Sequence, residues 1–477
     1  MSPADTLKFF LPETILTVFS LGALLCSLTF RGRNASAALA LLAVVLSALS
    51  LPLASHAPAG LYFHMLANDA FSIFFKAICL FATGLAILLS MGSGAVRDDA
   101  RGEYYFLILA ACVAMMLAVS SNHLLMIYLS IEMLSLVSYI LVGFQKNDAF
   151  SAEGALKYFL FGALSTGIML YGISLVIGLF GTADLSAICA ALKAGQAGSI
   201  TAGIAFLMIF AGISFKCALA PFHLWVPDAY QGAPTAVTAF ISVGPKAAGF
   251  AVLLRLFAIN ASPCSAMWTH LLTLIAILTM TLGNLIAISQ TNIKRMLAYS
   301  SIGQAGYILI GFVAGDSIGM AGVFYYVLAY ALMNLGAFGC VTLISKCLKS
   351  DEIGAYAGLY KTNPFPAFML TVFLLSLAGV PPLAGFFGKF LVFAAAVQSR
   401  LFFLALMAVI NSVIAAFFYM KIIQTMYLRE CPETRPAAPS TCLNTALLIL
   451  LAGVLIVGCF PGPFLDAIAA SQTVFMR

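Results

Sequence analysis

Charge is what this sequence has least of. Only 8% of its 477 residues are Asp, Glu, Lys or Arg, against 63% hydrophobic. A soluble domain is about one-quarter charged, so there is too little polar material to coat a soluble core of this size. The eleven cysteines include no C-x-x-C pair and no cluster with histidine. Several, such as Cys26, Cys79, Cys112, Cys217 and Cys340, fall in apolar stretches. That pattern argues against a disulfide framework, a zinc site and an iron–sulfur centre. No glycine-rich nucleotide fingerprint follows a predicted strand. The chain is expected to bind no cofactor and no metal of its own.

What is present is a succession of apolar blocks. At ~20 residues per crossing, they fall near residues 11–30, 36–54, 70–91, 104–120, 122–144, 151–180, 200–221, 236–258, 269–289, 296–314, 318–344, 365–396, 400–428 and 443–465. The pattern predicts an all-α integral membrane protein of about fourteen transmembrane helices. It forms one polytopic domain over residues 1–477, with short loops and no soluble appendage. The first block is followed, not preceded, by its basic residues, Arg31 and Arg33. It also lacks a small-residue cleavage site, so it is predicted to be a stable helix rather than a signal peptide.

The formal charge of +6 is not expected to be a nucleic-acid patch. The odd-to-even loops hold Arg31, Arg33, Arg97, Arg101, Lys146, Lys294, Arg295, Lys346, Lys349, Lys361, Arg429 and Arg435. The other side holds Lys8, Lys193, Arg400 and Arg477. This is a positive-inside bias, and it places both termini on the outer side.

Seven basic residues remain within the blocks: Lys76, Lys157, Lys216, Lys246, Arg255, Lys389 and Lys421. Among acids only Glu132 lies mid-block. A charge at the bilayer centre costs at least ~2.5–3.5 kcal/mol, so such groups face the bundle interior and need partners. Lys76, Arg255 and Lys421 lie within reach of a helix end and are expected to snorkel. Glu13, Asp69 and Asp466 are expected to face water. Lys157 is intermediate, because its helix starts close by.

Two blocks are broken. SFKCALAPFHLWVPDAYQGAPT (214–235) contains Pro221, Pro227 and Pro234. SLAGVPPLAGFFGKF (376–390) contains Gly379, Pro381 and Pro382. Proline removes a helical hydrogen bond. Irregular backbone at membrane depth is tolerated only inside protein or beside a wet cavity. Each break has a lysine beside it: Lys216 before Pro221, and Lys389 after Pro382. The reversed order, and an offset of five helices, predict an inverted-topology repeat of helices four to eight and nine to thirteen (roughly 104–258 and 269–428). Paired broken helices mark ion sites in transporter folds. Two unrelated proline kinks are the plainer alternative.

These residues suit proton transfer. A buried carboxyl beside a lysine has two competing protonation states. A desolvated lysine can release its proton, whereas an arginine effectively cannot. Ser135 and Tyr139 share the helix face of Glu132. Lys216 and Lys246 are its expected partners, and His223, at the first break, is a candidate bridge. A static network of salt bridges that orients the helices is the competing reading.

At these motifs the sequence resembles the antiporter-like membrane subunits of proton-pumping NADH:quinone oxidoreductase, complex I. That family is related to the subunits of multi-subunit sodium/proton antiporters. The resemblance rests on IYLSIEMLSLVSYILVGF, EGALKYFLFGALSTGIMLYG, the P-F-H-x-W-x-P-D-x-Y-x-G-A-P run, IKRMLAYSSIGQAGYILIGF and LAGVPPLAGFFGKF. Within the family, the lysine of G-F-F-G-K-F, where some members carry glutamate, narrows the match. So does the expected lack of a long lateral helix after the fourteenth block. The resemblance implies a first half-channel at Glu132 and Lys216, a central relay at Lys246 and an exit at Lys389, with Lys157 and His223 contributing. It places NADH, FMN, iron–sulfur clusters and quinone on other subunits. The implied partners are neighbouring membrane subunits, the lipid bilayer and protons, in a bacterial plasma membrane. The rival function is a cation/proton antiporter component without redox coupling. A purely structural scaffold is a third possibility.

Overall fold

A computed structural model of the chain describes residues 3–29, 34–55, 61–62, 65–94, 96, 98–194, 200–259, 265–430 and 440–472. Fourteen crossings follow one another, as expected. They are α1 (Leu11–Thr29), α2 (Ala35–Ser55), α3 (Ala70–Ser93), α4 (Arg101–Ser120), α5 (Leu124–Val142), α6 (Ala149–Phe180) and α7. The last is in two pieces, α7a (Ile200–Cys217) and α7b (Val226–Gly232). Then come α8 (Thr235–Ile259), α9 (Ser265–Ile288), α10 (Ile293–Ala314) and α11 (Ser317–Leu348). The twelfth is again in two pieces, α12a (Pro364–Ala378) and α12b (Ala384–Gln398), and α13 (Phe402–Leu428) and α14 (Thr441–Cys459) complete the set. Twelve of the described helices are individually long and apolar enough to cross a membrane; α1 and both halves of α12 are shorter apolar helices. The chain is a multi-pass, all-α membrane protein. The connection between α6 and α7a contains a short helix, Leu185–Lys193.

The few acidic residues stand at helix ends for a local reason. The first backbone N–H groups of a helix lack intrahelical partners, and a short carboxylate side chain satisfies them. Asp69 caps α3 in a reciprocal capping box with Ser72. Asp148 caps α6 and Asp316 caps α11. Asn292 does the same for α10.

The loops fall into two sets. At one end, the 121–123 segment bridges to Leu66 and to Asp184. At the other, Asn292 bridges to Glu352, and residues of the α5–α6, α7–α8, α9–α10 and α11–α12 connections line one common cavity. These four odd-to-even loops therefore share one end. The described members of the basic set, such as Lys146, Lys346 and Lys349, belong to it; Arg31, Arg33, Arg97, Arg435 and Arg477 lie outside the described residues.

Helix α8 is the axis of the bundle: its stretch from Ala236 to Leu256 is buried throughout, and α10 and α11 are nearly so. Around them α6, α13 and α14 present apolar side chains outward, among them Leu164, Phe417 and Ile456. Such exposed leucines and phenylalanines are what a lipid-facing surface requires.

Expectations for four charged residues need correction. Glu13 does not face water and Lys76 does not snorkel: they form an ion pair of 2.8 Å with side chains 7% and 1% exposed. Lys76 also donates to Asn68 Oδ1 at 3.3 Å. Arg255 likewise turns inward. It grips both carboxylate oxygens of Asp69 at 2.9 Å, donates to the Val119 carbonyl, and lies over the Phe71 ring. Burial works to raise Asp69, but the Arg255 charge and hydrogen bonds, with those of Ser72, leave it below the usual aspartate range. Lys294, expected in a loop, is buried at the start of α10. The physical reason is common to the three cations. Each has an acceptor close by in the fold, which offsets desolvation and removes the drive to reach water. Lys421 and Asp466 are exposed, as expected.

Candidate functional site

The first break opens after α7a. Ala218 takes a positive φ of 60°, ending the helix directly after Lys216 and Cys217. The freed backbone groups are then satisfied within the protein. Ala218 N–H donates to the Phe215 carbonyl and Leu219 N–H to that of Ser214. Ala220 N–H donates to Thr279 Oγ1 on α9, and the Trp225 indole donates to the Phe215 carbonyl. The second break follows the same logic. Gly379, with φ +92°, caps α12a. The Leu377 carbonyl accepts from Gln304 Nε2 on α10 at 3.0 Å, and Gly385 N–H donates to Ser376 Oγ at 3.2 Å. Irregular backbone is thus paired inside the bundle rather than left against lipid.

Lys216 is buried at the end of α7a. Its Nζ does not contact Glu132 directly: it donates to Ser135 Oγ at 3.1 Å and to Tyr158 Oη at 3.3 Å. Ser135 lies one turn from Glu132 on α5. Glu132 Oε2 is buried with no hydrogen-bond partner among the described residues, and its charge lies within electrostatic reach of Lys216. The two are therefore coupled through space, not by a closed salt bridge. Tyr158 is stacked on Trp225, centroids 3.9 Å apart, so the first break and the lysine's partner are held by one aromatic pair.

Lys246 is buried on α8. Its Nζ donates to the Ser301 carbonyl at 3.0 Å and contacts Ser301 Oγ on α10. One turn before it, Ser242 Oγ accepts from Asn334 Nδ2 of α11 at 2.7 Å. His223, in the first break, is buried with Nδ1 unpartnered and within electrostatic reach of Lys246.

Lys389, in α12b, is buried. It donates to the Ala378 carbonyl at 2.9 Å and to Ser412 Oγ of α13 at 3.0 Å. Between it and Lys246, α10 carries Ser300, in contact with Tyr419, and Gln304, which accepts from Tyr326. Lys157 stands apart from this buried row. Its side chain is 40% exposed and pairs with Glu153 at 2.6 Å and Asp228 at 2.7 Å. Asp228 also takes Arg295 at 2.6 Å.

The bundle thus gathers Lys216, Lys246, His223 and Lys389 in its interior, sets Glu132 half-buried beside them with one carboxylate oxygen buried, and leaves Lys157 at its edge. Sequence reasoning missed Tyr158, Ser301, Gln304 and Ser412. Their signal was faint, since a buried hydroxyl or amide on an apolar helix looks like any other. Tyr158, in the quoted EGALKYFLFG run, and Ser301 and Gln304, in IKRMLAYSSIGQAGYILIGF, stood in quoted motifs without a role; Ser412 lay outside them. No group of three or more metal-ligating side chains is found among the described residues.

A many-helix membrane bundle with two broken helices and unpaired buried lysines defines the class: ion-translocating membrane subunits. Residues 121–415 match the family described as NADH:quinone oxidoreductase/Mrp antiporter, TM, and the chain belongs to that family. It is 40% identical over 473 residues to the NADH-quinone oxidoreductase subunit N of Trichlorobacter lovleyi, covering 96% of each chain. It is 42% identical to the NAD(P)H-quinone oxidoreductase subunit 2 of Rippkaea orientalis, covering 90% of this chain and 84% of that one. Among solved structures, a chain of respiratory complex I from Thermus thermophilus superposes with a TM-score of 0.82 at 33% identity, covering 96% and 99%. A chain of the Mrp complex from Dietzia sp. shares the fold, with a TM-score of 0.84 at 21% identity over 100% and 98%.

Proposed function

We propose that this chain is a proton-translocating membrane subunit of a bacterial NADH:quinone oxidoreductase, itself free of redox cofactors. In this reading NADH, FMN, iron–sulfur clusters and quinone are bound by other subunits. Its partners are the neighbouring membrane subunits of the complex, and both termini lie on the outer side of the plasma membrane. Support comes from the relatives named NADH-quinone oxidoreductase subunit N and from the likeness to a complex I chain at 33% identity. The antiporter alternative has behind it the family description, which covers both kinds of subunit, and a fold-level likeness at 21% identity.

One observation carries the mechanism. Lys216, Lys246 and Lys389 are buried, yet their hydrogen-bond partners are hydroxyls and carbonyls rather than carboxylates. A lysine held this way can give up its proton without stranding a buried negative charge. The redox subunits would drive a change at the first pair. With Glu132 ionised, Lys216 is favoured as the ammonium. Loss or movement of that charge favours transfer of the Lys216 proton toward Lys246, and then through the hydroxyl and amide groups of α10 to Lys389. His223 would sit beside the first transfer. Lys157 would act on α7b from outside, through Asp228.

Helices α4 to α8 and α9 to α13 are read as the inverted repeat. In support, the third helix of each set, α6 and α11, has 32 residues, and the fourth of each is broken. The test is NADH-driven proton pumping in inverted membrane vesicles, comparing wild type with Lys216→Ala and Lys246→Ala, with complex assembly checked in parallel. Lost pumping with assembly intact is the expected result. Normal pumping in both variants sinks the reading.

A further inference from the structure

We propose that the cavity at the basic-loop end of the bundle is the wet mouth of the path to Lys246, and that Lys294 is the charge that opens and closes it. The inference rests on the proton-translocation reading above.

The cavity holds about 470 Å³. Its walls come from both halves of the chain: Ala233 and Thr235 between α7b and α8, Asn292 before α10, Ser345 and Lys346 near the end of α11, and Asp351 beyond it. A polar space of this size accommodates several waters at about 30 Å³ each. Lys294 lines it, with its side chain only 7% exposed. Its Nζ donates to the Ala233 carbonyl at 2.9 Å and lies 3.9 Å from the Asp351 carboxylate. Ala233 is the C-cap of α7b, so the ammonium satisfies an end carbonyl that has no partner inside the helix.

Position along α10 links this lysine to the buried row. Lys294 and Ser301 are seven residues apart, which puts them on one face about 10 Å from each other. Ser301 is the partner of Lys246. The intervening turn presents Leu297 and Ala298, both fully buried. From the wet end inward the order is cavity, lysine, one apolar turn, relay lysine. With its ammonium on Ala233, Lys294 places a positive charge at the neck, which repels a proton approaching Lys246. Asp351 is the second acceptor. A shift of about an ångström tightens this ion pair to a direct hydrogen bond, draws the positive charge away from the neck and frees the Ala233 carbonyl to hold water. A proton from the water in the cavity then has a route to the Nζ of a neutral Lys246. Asp351 is also tied to α10 by its carbonyl, which accepts from Ile293 N–H at 2.8 Å. It lies in the connection that leads from α11 to α12a, so the gate joins the end of α7b to that connection.

The test uses the assembled complex in inverted vesicles. Single cysteines replace Thr235, Ser345 and Ala298, and a membrane-impermeant charged maleimide is applied from the basic-loop face. Labelling is read peptide by peptide in mass spectra. Positions 235 and 345 are expected to label. Ala298→Cys is expected to stay unlabelled until Lys294→Gln is added, and then to label at least tenfold faster. Asp351→Asn, which removes the second acceptor, is expected to reduce pumping several-fold with assembly retained. If Lys294→Gln prevents assembly, labelling at 235 and 345 and the Asp351→Asn rate decide. Unlabelled 235 and 345 overturn the proposal. So does an Asp351→Asn variant that pumps normally while Lys246→Ala does not, and that result leaves the translocation reading intact. Normal pumping in Lys246→Ala overturns both.

Discussion

Adding one methyl group at Gly379 should disable the second break without touching a titratable group. Gly379 caps α12a with φ +92° and ψ 39°. A Cβ built there would lie 2.9 Å from Lys389 Cδ and 3.5 Å from its Nζ. Two costs follow. The left-handed conformation is unfavourable for an L-residue by roughly 1–2 kcal/mol, a loss a bundle of this size survives. The methyl also displaces the Lys389 stem by a few tenths of an ångström, and that stem holds Nζ between the Ala378 carbonyl and Ser412 Oγ. Losing one hydrogen bond to a charged group costs about 1.5–3 kcal/mol, at about 1.4 kcal/mol per factor of ten. Gly379→Ala should therefore assemble, show at most a modest fall in thermal stability, and pump at roughly a tenth of the wild-type rate or less. The assay is NADH-driven acidification of inverted vesicles, beside the amount of assembled complex in the same membranes. If Gly379→Ala assembles and pumps like wild type while Lys389→Ala does not, the glycine does not position the lysine and the reasoning fails.

Four further outcomes are expected. Lys76→Met should destabilise the protein by about 3–5 kcal/mol, because it leaves Glu13 buried and unpaired. At ~2 cal/mol/K per residue that is roughly 3–5 °C in a thermal-shift measurement, and Glu13→Gln added to it should recover most of the loss. Asp69 is held below its usual range, so its pairing stabilises the fold above the unfolded value of ~3.9 and is lost only as pH falls through the lower folded value. The stability gap between wild type and Asp69→Asn should stay constant from neutral pH down to about 5, and close below about 4. Lys157→Met should lower stability by no more than ~1 kcal/mol, since its pairs are partly exposed and Arg295 still holds Asp228. A pumping loss as deep as that of Lys216→Ala would instead place Lys157 in the path itself. Ser301→Ala removes the hydroxyl of the Lys246 contact and keeps the carbonyl, so pumping should fall without being abolished; an unchanged rate would mean the carbonyl alone orients the lysine.

How much of this was legible beforehand depended on whether a feature is periodic or relational. The fourteen crossings were readable because a lipid-facing helix must be apolar over a fixed length. Both breaks were readable because proline and glycine act on the chain locally. Glu13 and Lys76 were misread because distance from a helix end in sequence was taken as distance from water. In the fold, α1 and α3 bring the pair together, and a lysine with a carboxylate at 2.8 Å has nothing to gain by extending outward. Ser301 and Tyr158 went unassigned for a related reason, since each matters only through a lysine on another helix.

That contrast divides the buried cations into two kinds. Lys76 and Arg255 have carboxylate partners; removing the proton from Lys76 would strand Glu13, and Arg255 stays charged in any case. They fix α1 to α3 and α3 to α8 as permanent charges. Lys216, Lys246 and Lys389 have neutral oxygen partners that accept hydrogen bonds from the ammonium and, where they are hydroxyls, can turn to donate to a neutral amine. Ser135, Tyr158, Ser301 and Ser412 supply such a reversible hydroxyl at each of the three lysines. Both protonation states are therefore solvated by the protein itself. Substituting a carboxylate at one of these hydroxyls, as in Ser412→Asp, should convert a relay into a fixed ion pair. The expected result is a complex that assembles with equal or greater thermal stability and no longer pumps. Retained pumping in Ser412→Asp would show that the neutrality of the partner is not what lets Lys389 work.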